Sequence, residues 1–239
     1  MDQDQLAQES ARFASEVQST INAVLPNETR VVSVSTGDLW RYIVRPEGDS
    51  PSDRRIPITV DGEHLADLVH SVFLASDRAG HFIKTVRSET AVYSTLDRQP
   101  LLRLEYRADM HSAPVAHWQV HAERGAFSHL LTHAHAHRPK TVGKPHDISS
   151  LHLPVGGERF RPSLEDVLQF LVSDCGVDYR PGWEDAVNQG RRNWRLLQLR
   201  ATVRDGQDEA ARVLRDLGWT VQAPSQREVT DNNAILTRW

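Results

Sequence analysis

Between Thr29 and Glu123 the apolar residues fall on alternate positions in short runs set apart by turn-forming residues, whereas before Pro26 and after Pro162 they recur at helical intervals. A period of two sends side chains to opposite faces of a strand, and a period near 3.6 gathers them on one side of a helix. The chain is thereby restricted to a central sheet with helices at its two ends. The reading is an α+β fold, an antiparallel β-sheet with an N-terminal amphipathic helix and a C-terminal helical cap. Its parts are residues 1–25, 26–162 and 163–239.

The first helix is predicted over residues 2–25, where Leu6, Phe13, Val17, Ile21 and Val24 share a face and Pro26 stops the pattern. Two β-like runs follow, Thr29 to Ser35 and Leu39 to Arg45, joined through Thr36-Gly37-Asp38 as a hairpin; in the second, Trp40, Tyr42 and Val44 share one side. A loop from Pro46 to Arg54 leads to a strand from Ile56 to Val60. Leu65 to Ala75 fits either period, and a strand is favoured because Leu68, His70, Val72 and Leu74 alternate. Asp77 to Gly80 then turns the chain into Phe82 to Val86, and Ala91 to Thr95 follows as a further strand of a meander.

Leu101 to Arg107 places Leu102, Leu104 and Tyr106 on one face and Arg103, Glu105 and Arg107 on the other. Ala116 to Glu123 places Trp118 and Val120 toward the core, with His117, Gln119, His121 and Glu123 facing away. If these runs pair, one surface collects guanidinium, carboxylate and imidazole groups. Past Pro162, Ser163-Leu-Glu-Asp has the N-cap and early acids of a helix start, Leu164, Val167, Leu168 and Leu171 form its buried side, and Gly176 ends it. A second helix follows Pro181, with Trp183, Val187, Trp194 and Leu197 as core positions, and a third runs from Asp208 to Leu217. The arginines of these helices are interleaved with acids, as on a solvated surface.

Nine of the chain's 12 histidines lie between His111 and His152, where even scatter would place roughly two, which marks this stretch as the candidate site. His117 and His121, four residues apart on a strand, stand about 13 Å from each other and do not share a metal. One imidazole beside a glutamate supports proton transfer, and arginines hold a phosphate. Candidate catalytic residues are therefore His117, His121, Glu105 and Arg103, with Arg107, Gln119, His152 and Arg159 as candidate substrate contacts. Phosphate-ester or RNA binding and cleavage on this sheet face needs no cofactor. As a helix, Ala126 to His137 would stack His129, His133 and His137 at intervals of four and offer a divalent metal such as zinc a site for hydrolysis. The third reading is a non-enzymatic partner that uses the N-terminal helix or the C-terminal helices as protein contacts.

Several classes are excluded or narrowed. With 28 basic against 32 acidic side chains, no global field draws the protein to nucleic acid or membrane. A lone Cys175 excludes an internal disulfide and is expected to be a buried structural thiol. The N-terminus lacks a signal-peptide pattern and no apolar run is long enough to span a bilayer, so a cytoplasmic location is expected. There is no GxxxxGK[ST] and no GxGxxG.

The stretches Pro100-Leu-Leu-Arg-Leu-Glu-Tyr, Ala116-His-Trp-Gln-Val-His-Ala-Glu-Arg and Leu151-His-Leu-Pro-Val-Gly-Gly-Glu-Arg-Phe-Arg-Pro-Ser-Leu-Glu-Asp-Val-Leu resemble those of an uncharacterised family of actinobacterial cytoplasmic proteins. The likeness extends over roughly Leu65 to Pro224 and implies a shared fold, with no catalytic residue to transfer. The order of Arg, His and Leu-Glu-Asp-Val-Leu is also similar to small TumE-like toxins of toxin-antitoxin pairs, which implies a nucleic-acid-directed or defence role.

Overall fold

The structure, a computed structural model, describes residues 2–37, 41–77, 80–96, 98–111, 113–121, 135, 144, 153–155, 159–226, 231–236 and 238. Helix α1 (Gln3–Val24) opens on a reciprocal cap: the Asp2 carboxylate accepts from the Gln5 amide at 2.8 Å, and the Gln5 side chain accepts from the Asp2 amide at 3.1 Å. Its buried stripe is Leu6, Ser10, Ala14, Val17, Ile21 and Val24. Ser10 is tolerated inside because its hydroxyl donates to the Ala7 carbonyl and accepts from Ser33 on the sheet.

Among the described residues eight strands follow: β1 (Val31–Ser35), β2 (Arg41–Pro46), β3 (Ile56–Val60), β4 (Glu63–Ser76), β5 (Ile83–Ser94), β6 (Pro100–Arg107), β7 (Ala116–Val120) and β8 (Leu153–Pro154). They form one antiparallel sheet in the order β1-β2-β4-β5-β6-β7-β8, and β3 pairs with the first half of β4 while β2 pairs with its second half. The strand reading of Leu65 to Ala75 is the observed one. Phe82 to Val86 and Ala91 to Thr95 were expected as separate strands, but β5 runs unbroken between them. Arg87 and Glu89, between the two runs, lie on one face of a strand paired on both edges, by β4 and by β6, so the ladder carries through.

The C-terminal part contributes α2 (Leu164–Ser173), α3 (Trp183–Asp205), α4 (Gln207–Asp216) and a short 3-10 turn, Asn233–Leu236. At the start of α2 the Asp166 carboxylate accepts from both the amide and the hydroxyl of Ser163. At its end Gly176 takes the left-handed conformation, φ +69°, and the Val177 amide returns to the Leu171 carbonyl. One step further, Asp178 accepts from the amides of Asp61 and Gly62, each at 2.9 Å, and so ties the helical part to the β3–β4 turn, where both residues have positive φ as a tight hairpin requires. Val17, Ile21, Val44, Leu68, Leu104, Leu168 and Val187 belong to one continuous core shared by α1, the inner sheet face, α2 and α3.

Three expectations about burial are corrected. Val120, at the end of β7, is 44% exposed because the sheet stops there. Val187 is buried, but Leu197 is exposed and Trp183 and Trp194 are half-buried, since the 23-residue α3 outruns the layer beneath it. Cys175 is exposed, placed in the turn after α2. Among the described residues no helix is long and apolar enough to cross a membrane.

Candidate functional site

Strands β6 and β7 pair with Arg103 opposite Gln119 and Glu105 opposite His117. Alternation therefore brings the expected groups together on the sheet face that points away from the helices. His117 Nδ1 lies 2.9 Å from the Pro114 carbonyl, which only accepts, so Nδ1 carries a proton. Its Nε2 lies 3.2 Å from a Glu105 oxygen, and that contact needs a second proton. The hydrogen bond from His117 holds the Glu105 carboxyl below the usual carboxylate range against the opposing effect of burial, and Arg103, 3.4 Å away, adds to it. The Glu105 carboxylate thus stands between the His117 ring and the Arg103 guanidinium.

This arrangement differs from a reaction floor in one respect. His117 is only 1% exposed and both ring nitrogens are engaged, so a substrate has no path to its exchangeable protons. The remaining candidates disperse. His121 lies past the end of β7, where its Nδ1 accepts from the Gln99 amide at 3.1 Å, one strand-length of four residues from His117. Arg107 pairs with Asp109 and stands opposite Arg87, itself paired with Glu89 and stacked on Phe73. Arg159 is on the other side of the sheet, donating to Asp205 at 2.7 Å. It was expected near the His117 face because the sequence gives no sign of which layer the Phe160 segment joins. His129, His133, His137 and His152 lie outside the described residues, and among those described no group of three metal-ligating side chains converges.

Among the described residues, two adjoining concave spaces lie on the helix side. Between the inner face of β4–β6, α1, the start of α2 and α3 lies a chamber of about 310 Å³, and beside it a larger one of about 710 Å³. Phe13, Glu16, Thr85, Arg161, Trp194 and Leu197 line both. Strand alternation and the 3.6 period of the helices create this space together: polar His70 and Thr90 occupy inward positions of β4 and β5, and α3 bridges over them.

His70 and Thr90 are cross-strand neighbours, 5% and 2% exposed, with Nδ1 and the threonine hydroxyl 2.8 Å apart. Burial alone pushes the His70 imidazole down to about 4, so it is neutral at physiological pH. Arg161, buried at the mouth, places its guanidinium 3.8 Å from the Tyr106 ring centre and 4.7 Å from that of Trp194. Burial likewise pushes the Glu165 carboxyl up, partly offset by a hydrogen bond from Ser163.

In the outer chamber Arg12 is paired with Glu9 and Glu16, and Arg159 with Asp205. Arg204 stacks over Phe82. Lys84 and Arg200 are exposed and have no carboxylate within ion-pair distance among the described residues. An apolar pocket with a few convergent polar groups, opening beside uncommitted cations, accommodates a ligand with an uncharged body and an anionic end.

His70 had a legible signal, a titratable residue at an inward position of an otherwise apolar alternation. Arg161 reads from sequence only as a cation beside a turn that leads into the Ser163 helix, and Trp194 as ordinary core. The surfaces considered for protein partners also separate: α1 spends its apolar side inside the fold, whereas α4 buries no residue and leaves Val213 and Leu214 exposed. No protein-family model, curated protein or solved structure matches this chain.

Proposed function

We propose that the protein binds a phosphate-bearing small molecule of nucleotide size in the cleft between the inner sheet face, α1 and α3. The reading is carried by the pairing of an apolar chamber of about 310 Å³ with a larger adjoining space lined by Lys84 and Arg200, which have no carboxylate partner among the described residues. Arg161, held between two aromatic rings, stands where the two spaces meet and is kept from collapsing onto the mouth. No catalytic step is assigned to the opposite face, because RNA cleavage there would require His117 to meet a substrate it does not reach. Arg103, Glu105 and His117 act in this proposal as an ion cluster that fixes the register of β6 on β7. A cytoplasmic setting is part of the proposal, supported by the single cysteine, which has no second thiol to pair with in the chain.

Isothermal titration of the full chain with inorganic phosphate, nucleoside monophosphates and a short RNA tests it. The small phosphates should bind, more weakly as salt rises, and Lys84→Glu with Arg200→Glu should weaken them about tenfold or more. Absence of binding by every phosphate-bearing probe, or binding unchanged by the charge reversals, overturns the proposal.

A further inference from the structure

We infer that the inner chamber is a hydrogen-bonding subsite for an uncharged planar heterocycle of nucleobase size, read by the His70–Thr90 pair. The inference rests on the proposed phosphate-binding cleft and specifies what the phosphate is attached to. His70 stands in the middle of β4 at a position whose neighbours on the same face, Leu68 and Val72, are core residues. A buried polar side chain there is costly unless its groups are matched. Nδ1 is matched by Thr90. Among the described residues the ring's hydrogen bond is the one at Nδ1, and His70 lines the chamber.

The chemistry of this pair narrows the ligand. A threonine hydroxyl can donate or accept, and a neutral imidazole carries its proton on either nitrogen. When Thr90 donates to Nδ1, Nε2 bears the proton and donates into the chamber; when Nδ1 donates to Thr90, Nε2 accepts. The pair therefore meets a partner of either polarity without acquiring charge, which suits a ring edge of mixed donors and acceptors and does not suit a phosphate. Burial keeps the imidazole neutral, and the charged groups bordering the same chamber are Glu16, Arg161 and Glu165. Phe13, Val17, Val72, Leu104 and Trp194 supply an apolar enclosure. Its volume of about 310 Å³ is at the small end for ligand pockets. A heterocycle seated against His70 would carry its phosphate outward past Arg161 toward Lys84 and Arg200.

The test compares inorganic phosphate, ribose 5-phosphate, and purine and pyrimidine nucleoside 5′-monophosphates by calorimetry, using the full chain and the variants Thr90→Val and His70→Phe, with the melting temperature of each variant as a fold control. At least one nucleotide should bind about tenfold or more tightly than ribose 5-phosphate. Both variants should reduce that nucleotide to the affinity of ribose 5-phosphate and leave inorganic phosphate unchanged. Saturation with the nucleotide should shift the His70 Nε2 resonance in long-range proton–nitrogen spectra, and inorganic phosphate should not. Ribose 5-phosphate binding as tightly as every nucleotide, or a folded Thr90→Val that loses nothing, overturns the subsite while the phosphate cleft stands. Failure of all four probes overturns the cleft itself, and the subsite with it.

Discussion

His70 has an ordinary imidazole pKa of 6.5 outside the fold and falls to about 4 once enclosed between β4 and β5, because the interior penalises its charged form. Between those values the unfolded chain binds a proton that the folded chain does not. Stability from this group is therefore fully present above 6.5 and is lost as the pH falls toward 4. At about 1.4 kcal/mol per pH unit the full effect is about 3 kcal/mol, and about 2 kcal/mol is already gone at roughly pH 5. Replacement by glutamine removes the titration while keeping a polar side chain opposite Thr90. Urea unfolding followed by tryptophan fluorescence at about pH 7.5 and about pH 5 should show the wild type losing about 2 kcal/mol more than His70→Gln, equivalent to about 4–8 °C in melting temperature for a chain of this size. Taking the difference between the two proteins cancels the other titrating groups, including Glu165, whose raised carboxyl acts in the opposite direction and lowers stability as pH rises. Parallel losses in wild type and variant would refute the argument that His70 is desolvated in the native state.

Glu105→Gln removes the carboxylate facing the buried His117 ring and the Arg103 guanidinium and should cost about 2 kcal/mol near neutral pH, checked by denaturant titration. Because the Glu105 carboxyl is lowered in the fold, its contribution is present above the ordinary value of 4.5 and is lost as pH falls through the lower folded value, so the wild type and variant should converge in acid. Replacing Glu105 and His117 together by leucine should cost less than the sum of the single losses. Cys175 should react completely with a thiol reagent in the native protein, since it is exposed, and more slowly than an unhindered thiol near neutral pH, since partial burial and Asp174 push its pKa up. Protection that persists until denaturation would contradict this placement.

The local chemistry of the chain determined its secondary structure and much of its pairing. The stop at Pro26, the Ser163 start of α2, and the alternation that puts Arg103 and Glu105 on one face of β6 and His117 and Gln119 on one face of β7 follow from period and turn chemistry, which act over a few residues. Which face became useful was decided elsewhere. Alternation states that two sets of side chains point apart, but it contains nothing about what covers either set. The helices closed over His70 and Thr90, setting Arg161 between Tyr106 and Trp194, through contacts between segments far apart in the chain. On the other face His117 was enclosed, with Glu105 and the Pro114 carbonyl occupying its ring nitrogens. Burial, and with it the pKa of His70 and the accessibility of His117, is a property of the packed layers, because desolvation depends on every atom that displaces water, whatever its distance along the chain.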